Sequence, residues 1–328
     1  MELAKPNVKV PYVRLGNSGL KVSKLILGMM SYGSSKWQDW VLDEEESFKH
    51  IKYAYDSGIN TFDTANMYSN GESEVVLGNS LKHFKIPREK VVILTKVYNA
   101  CVPEDLSFKN VGIDPDEFGL INEWGLSRKH IFASIKASLQ RLQLDYVDVL
   151  QCHRFDYNTP IEETMQALHD VVKAGYARYI GMSSCHAYQF HAMQNYAISH
   201  NLTPFISMQD MHSAVYREEE REMFPTLKMF NVDKNFARIL GAEGSADRSA
   251  VFEVNKRVES IAKKHGRSMA QVALAYSLAK EAVTAPIIGT TKLDSIKELI
   301  EALDIKLDDA EIQSIEEPYI PRAIQGYN

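Results

Sequence analysis

Four side chains at separated points of the chain form a set that could do carbonyl chemistry: Asp63, Tyr68, Lys96 and His153. They are an acid, a phenol, an ammonium and an imidazole. A phenol of pKa about 10 is a poor proton donor near neutrality, but an ammonium beside it stabilises the phenolate and lowers that value. A carboxylate behind the lysine keeps the ammonium charged and aimed, and an imidazole can hold a carbonyl oxygen by hydrogen bond. Such a set would deliver a proton to the oxygen of an aldehyde or ketone while a nicotinamide delivers hydride to carbon. Taken singly, each residue has an ordinary explanation. Asp63 in Thr61-Phe62-Asp63-Thr64 could be a turn or cap residue, Lys96 a surface lysine, His153 a structural histidine, and Tyr68 is one of 16 tyrosines.

Only a fold that brings strand ends together would unite them, so the elements decide the matter. Apolar runs of strand length, Leu25–Met30, Thr61–Ala65, Val91–Val97, Val147–His153, Tyr179–Ser183, Phe205–Gln209 and Ala285–Gly289, alternate with amphipathic stretches of helix length. The stretch 127–142 shows the helical period, with Ser127 as N-cap and Ile131, Ile135, Leu139 and Leu142 on one face. Alternation of strand and helix predicts a parallel α/β sheet. A dinucleotide fingerprint G-x-G-x-x-G and a P-loop are both absent from the sequence, which removes the best evidence for an open Rossmann sheet. The count of strands approaches the eight of a (β/α)8 TIM barrel, with the four candidates at successive strand ends on one mouth. Before the first of these strands, Tyr12–Leu15 and Leu20–Ser23 flank Gly16-Asn17-Ser18-Gly19, a β-hairpin signal that could plug the barrel floor.

One place does not fit. After a helix predicted over 218–230, the seventh strand should follow, yet Asp233-Lys234-Asn235-Phe236-Ala237-Arg238-Ile239-Leu240-Gly241 reads as a loop or short helix. A seven-stranded barrel cannot pair its edges. The expectation is therefore a seventh strand missing at Val232-Asp233, either through a broken sheet or through residues absent between about 230 and 236.

Composition bounds the function. The 328 residues, 45% apolar and 24% charged, suffice for one barrel domain over 1–328 with a large core. A net charge of −6 without long basic tracts argues against nucleic acid as partner. Cys101, Cys152 and Cys185 have no paired spacing, Met1–Pro11 contains no apolar h-region, and no 18-residue apolar run occurs, so a cytoplasmic protein without membrane association is predicted. His186 and His191 are five apart rather than four, so no metal site is predicted.

Several strings closely resemble the aldo-keto reductases: Asn60-Thr61-Phe62-Asp63-Thr64-Ala65-Asn66-Met67-Tyr68, Gly71-Glu72-Ser73-Glu74, Leu94-Thr95-Lys96 and Asp148-Val149-Leu150-Gln151-Cys152-His153. The likeness covers nearly the whole chain. It includes the hairpin Arg14–Ser23, the fifth-strand stretch Gly175–Ser184 and the last-helix stretch Ser268–Tyr276. Within the family, Gly28-Met29-Met30-Ser31-Tyr32-Gly33 and Leu126–Ile131 are similar to fungal aryl-alcohol dehydrogenase-like and versiconal hemiacetal acetate reductase-like members.

The resemblance implies NADPH-dependent reduction of aldehydes or ketones with Tyr68 as general acid, Lys96 and Asp63 tuning it, and His153 orienting the carbonyl. It implies that Ser183, Ser184 and Gln209 hold the nicotinamide carboxamide, with Ser184 where many relatives have Asn. It places the adenosine 2′-phosphate on Gly289-Thr290-Thr291-Lys292 with Ser295, and the adenine beside Glu298, whereas Leu299 departs from a common Asn. It also implies a Trp-Ser-Pro-like seventh strand and a pyrophosphate loop where the sequence breaks, whose true loss would impair cofactor binding. Tyr32, Trp37, Tyr98 and Trp124 are candidates for an aromatic substrate pocket favouring aryl aldehydes, and the long run Tyr98–Gly125 for a lid. Ordinary packing is an equal account of each aromatic. Two other functions stay open, a cofactor-binding regulatory subunit resembling the potassium-channel β subunits, and a sugar or steroid carbonyl reductase.

Overall fold

A computed structural model describes residues 9–102, 114–237 and 248–327. Its centre is a closed barrel of eight parallel strands in the order β10, β3, β4, β5, β6, β7, β8, β9. In chain order these are β3 (Ile26–Gly28), β4 (Thr61–Asp63), β5 (Val92–Val97), β6 (Val147–Cys152), β7 (Ala177–Ser183), β8 (Phe205–Asp210), β9 (Asp233–Ala237) and β10 (Val283–Ile288). Helices α1 (Glu44–Asp56), α2 (Glu72–His83), α3 (Arg128–Leu142), α4 (Ile161–Lys173), α5 (Ala187–Ser199) and α6 (Met223–Phe230) follow strands β3 to β8 in turn. Two more, α7 (Arg248–His265) and α8 (Met269–Leu278), lie between β9 and β10, and α9 (Leu293–Glu301) and α10 (Asp309–Glu316) come after β10. The predicted cap of α3 is present, with Ser127 Oγ accepting from the His130 amide at 3.2 Å.

The missing-strand expectation is overturned. Asp233–Ala237 is a strand, and it closes the barrel by pairing with β8 from Ser207↔Asp233 to Asp210↔Phe236 and with β10 from Val283↔Lys234 to Ile287↔Ala237. Ladder hydrogen bonds run between backbones, so a segment with polar residues can fill the slot when both neighbours have unpaired edges. Its sequence hid it because Asp-Lys-Asn carries no apolar run. The helix predicted over 218–230 is shorter, a 3-10 turn at Glu218–Glu220 followed by α6. The stretch Arg238–Gly241, the opening residues Met1–Val8 and Pro103 of the proposed lid lie outside the described residues.

Inside the barrel the side chains are stratified. Ile26, Val92, Leu94, Val149 and Ala285 form an apolar floor, joined by Leu15 and Val22 from the hairpin β1 (Tyr12–Arg14) and β2 (Lys21–Ser23), all of them buried. The hairpin thus plugs the end of the barrel opposite the strand C-termini. Strand parity then carries the polar residues one layer up, since Asp63, Lys96 and Gln151 alternate with residues of the outer core such as Phe62, Val97 and Leu150.

Candidate active site

Asp63 ends β4 and Lys96 stands one residue before the end of β5, and the two meet inside the mouth with Lys96 Nζ 2.5 Å from Asp63 Oδ2. Both are buried. The ammonium donates also to the Thr64 carbonyl at 2.8 Å and to Tyr68 Oη at 3.4 Å, so its three N–H groups have three acceptors. Burial pulls the Lys96 pKa down, but the Asp63 carboxylate and then Tyr68 outweigh it, and the group stays charged with its pKa raised. Because Lys96 donates to the phenol oxygen, the Tyr68 hydroxyl proton is free to be donated elsewhere. The ammonium also lies 5.0 Å from the centre of the Tyr68 ring.

The turn that carries Tyr68 is unusual. Ser69 and Asn70 have φ of 50° and 53°, a left-handed pair of non-glycine residues, and Gly71 follows at 99°. Such conformations are costly and persist where surroundings dictate them. Here the Ser34 amide donates to Ser69 Oγ, and Gly33 permits the approach, because a Cβ there would lie 2.4 Å from that oxygen. His153, directly after β6, faces Tyr68 edge-on with ring centres 5.8 Å apart. The four candidates thus converge at one mouth.

Two side-chain amides also hold the carboxylate. Asp63 Oδ2 also accepts from Gln209 Nε2 at 3.1 Å, and Oδ1 accepts from Gln151 Nε2 at 3.0 Å. Gln151 is not among the candidates read from the sequence, although its parity with Val149 on β6 marks it as inward-facing. Asn66 was likewise passed over, and its amide braces the mouth by donating to the Asn99 carbonyl at 2.8 Å.

The other sequence candidates fall in two groups. Ser183, at the end of β7, is buried, and Ser184 takes a left-handed φ of 49° while its amide donates to the Gln209 carbonyl. Gln209 Oε1 is buried and finds no partner among the described residues. Across the mouth, Gly289 to Lys292 join β10 to α9. Thr290 Oγ1 accepts from the Lys292 amide at 3.0 Å, Lys292 is exposed at the N-cap, and Ser295 and Glu298 follow half-buried on α9. Tyr32 is fully buried and donates to the Thr290 carbonyl at 3.0 Å, so it braces this loop. Trp37 is buried against Trp40, whereas Tyr98 and Trp124 meet edge-on, half-buried, just past β5. Among the described residues no group of three or more His, Cys, Asp or Glu converges to hold a metal ion, and no helix is long and apolar enough to cross a membrane.

Comparison with known proteins bears on this arrangement. The sequence model of the Aldo/keto reductase family matches residues 24–320. Versiconal hemiacetal acetate reductase of Aspergillus parasiticus is 45% identical over 346 residues, covering 95% of this chain and 98% of that protein. An aldo-keto reductase of Metarhizium robertsii is 42% identical over 349 residues, covering 98% of this chain and 94% of its own length. An aryl-alcohol dehydrogenase-like protein of Schizosaccharomyces pombe is 45% identical, with 96% and 97% covered. These alignments run longer than the 328 residues of this chain, so the relatives carry positions that it lacks.

Proposed function

The chain belongs to the aldo/keto reductase family, and from that premise we propose that it reduces aldehydes and ketones to alcohols with Tyr68 as proton donor and NADPH as cofactor. Aryl aldehydes are the favoured substrates, in keeping with the aromatic edge formed by Tyr98 and Trp124 and with the aryl-alcohol dehydrogenase-like relative. The observation that carries the reading is the saturated ammonium: Lys96 gives one N–H to Asp63, one to a backbone carbonyl and one to Tyr68 Oη, which leaves the phenol proton for the substrate.

The residues suit a nicotinamide cofactor. Gln209 Oε1 is an acceptor awaiting a donor of the carboxamide type, and Ser183 and Ser184 stand beside it. At the other end, Gly289, Thr290, Thr291, Lys292 and Ser295 lie at the start of α9 with backbone N–H groups and a cation, which suits the 2′-phosphate, while Glu298 would face the adenine. When bound, NADPH supplies hydride to the carbonyl carbon. The protein's own residues do the rest: His153 orients the carbonyl oxygen, Tyr68 Oη gives it a proton, and Lys96, held by Asp63, stabilises the phenolate left behind. Such a small-molecule reductase would work in the cytoplasm as one barrel domain.

The test follows NADPH absorbance with the full chain and a panel of aromatic, aliphatic and sugar aldehydes. Tyr68→Phe should bind NADPH within a few-fold of the parent while turnover falls by at least about two orders of magnitude, the scale of a lost general acid. Tight NADPH binding with no turnover on any carbonyl would reverse the reading in favour of a cofactor-binding subunit.

A further inference from the structure

We propose that Gln151 is a positioning residue, whose side-chain amide locks the Asp63 carboxylate in the one orientation that holds Lys96 against Tyr68. The two oxygens of Asp63 are unequally served. Oδ2 accepts from Lys96 at 2.5 Å and from Gln209 at 3.1 Å, whereas Oδ1 accepts only from Gln151 at 3.0 Å among the described residues. An unrestrained carboxylate can rotate about its Cβ–Cγ bond and exchange the oxygen it offers to the ammonium. A donor on the oxygen that Lys96 does not use blocks that rotation.

The orientation of the amide follows from chemistry. An ionised carboxylate only accepts, so Gln151 must turn Nε2 toward it and point Oε1 away. Oε1 is then buried with no partner among the described residues. A buried unpaired carbonyl is costly, and an apolar side chain of the same size would avoid that cost. Packing alone therefore does not account for a glutamine at this place.

The barrel also reserves room for it. Gln151 pairs in register with Lys96 on β5 and with Gly181 on β7, and it is fully buried. A Cβ at Gly181 would come within 3.2 Å of Gln151 Cγ and 2.6 Å of Ser207 Oγ, so glycine there spares the Gln151 side chain a tight contact. The effect of Gln151 on turnover rests on Tyr68 as proton donor; the contact between Gln151 and Asp63 does not.

Two variants and two readouts test it in the full-length protein. Gln151→Met keeps the length of the side chain and removes the donor, and Gln151→Leu guards against an effect particular to sulfur. Both should lower kcat at least about ten-fold, while NADPH affinity by fluorescence titration and substrate KM stay within about two-fold. Thermal unfolding gives a readout independent of activity. The loss of Tm caused by Gln151→Met should shrink by about half when Asp63→Asn is already present, because the hydrogen bond to a neutral acceptor is about half as strong. A Gln151→Met protein with the parent kcat, or Tm losses that simply add, would overturn the inference. Should the parent chain show no Tyr68-dependent reduction, the proposed function falls, and the unfolding cycle still decides whether Gln151 holds Asp63.

Discussion

Two regions of this molecule gather paired charges, one fully buried and one half-buried, and they do so for different ends. In the barrel mouth, one carboxylate and one ammonium pair in a setting where every neighbour is a neutral donor or acceptor: Asp63 with Lys96, ringed by Gln151, Gln209, the Thr64 carbonyl and Tyr68. On the C-terminal flank, charges answer charges. Glu220 takes hydrogen bonds from His212 at 2.7 Å and Arg217 at 2.7 Å, Lys280 lies 3.3 Å from it, and Lys280 in turn pairs with Glu316 of α10. Tyr276 of α8 closes the net by donating to Glu316 at 3.1 Å. The flank network joins the segment after β8 to α8 and α10, and the Tyr276 hydroxyl in it is committed to Glu316, so it fastens the C-terminal helices. The mouth ends in the Tyr68 hydroxyl, whose proton has no acceptor among the described residues. Pairing of charge is thus no mark of a reactive site; what separates the two is an open donor at the end of the chain of hydrogen bonds.

That contrast can be broken in order of effect. Removing the open donor by Tyr68→Phe should cost at least about a hundred-fold in turnover and leave the melting temperature nearly unchanged; an equal loss of stability would blur the distinction. Lys292→Ala, at the far side of the same mouth, should weaken NADPH about ten-fold while NADH binding hardly moves. Equal losses for the two cofactors, measured by fluorescence titration, would place the 2′-phosphate elsewhere. Glu220→Gln should show the opposite pattern, a destabilisation of about 2 kcal/mol with kcat intact, since it removes charge-assisted hydrogen bonds that fasten the C-terminal helices.

The smallest effect concerns pH. Burial would raise the Glu220 carboxyl, but hydrogen bonds from His212 and Arg217 and the nearby Lys280 charge overcome that and hold it well below the usual carboxylate range. Its contribution to stability is present above the ordinary glutamate value and is lost as pH falls below it. The Lys96 contribution runs the other way, being present below the ordinary lysine value and lost as pH rises through its raised one. Thermal melts should therefore decline on the acid side less steeply in Glu220→Gln than in the parent, with the alkaline side unaltered.

Much of the candidate site was legible in the chain because its members carry distinctive types at strand ends. Asp63, Lys96 and His153 terminate or nearly terminate apolar runs, and alternation fixes which side chains point inward. Gln151 obeyed the same parity but lay inside a strand without a charge to draw notice. Tyr32 sits in a motif after β3, and only the folded chain shows its hydroxyl holding the Thr290 carbonyl of the loop after β10. The strand Asp233–Ala237 was hidden because its pairing is a property of its neighbours' free edges rather than of its own residues.

The sequence by itself determined the alternation of strands and helices, the inward parity of the polar residues and the types of side chain available for proton transfer. Those are local properties, written in periodicity and residue chemistry. Closure of the barrel through β9, the three acceptors around Lys96 and the division of the Asp63 oxygens between Lys96 and Gln151 were decided by tertiary structure alone. They depend on distances between residues 33 and 88 positions apart, and such distances exist only once every strand has found both of its neighbours.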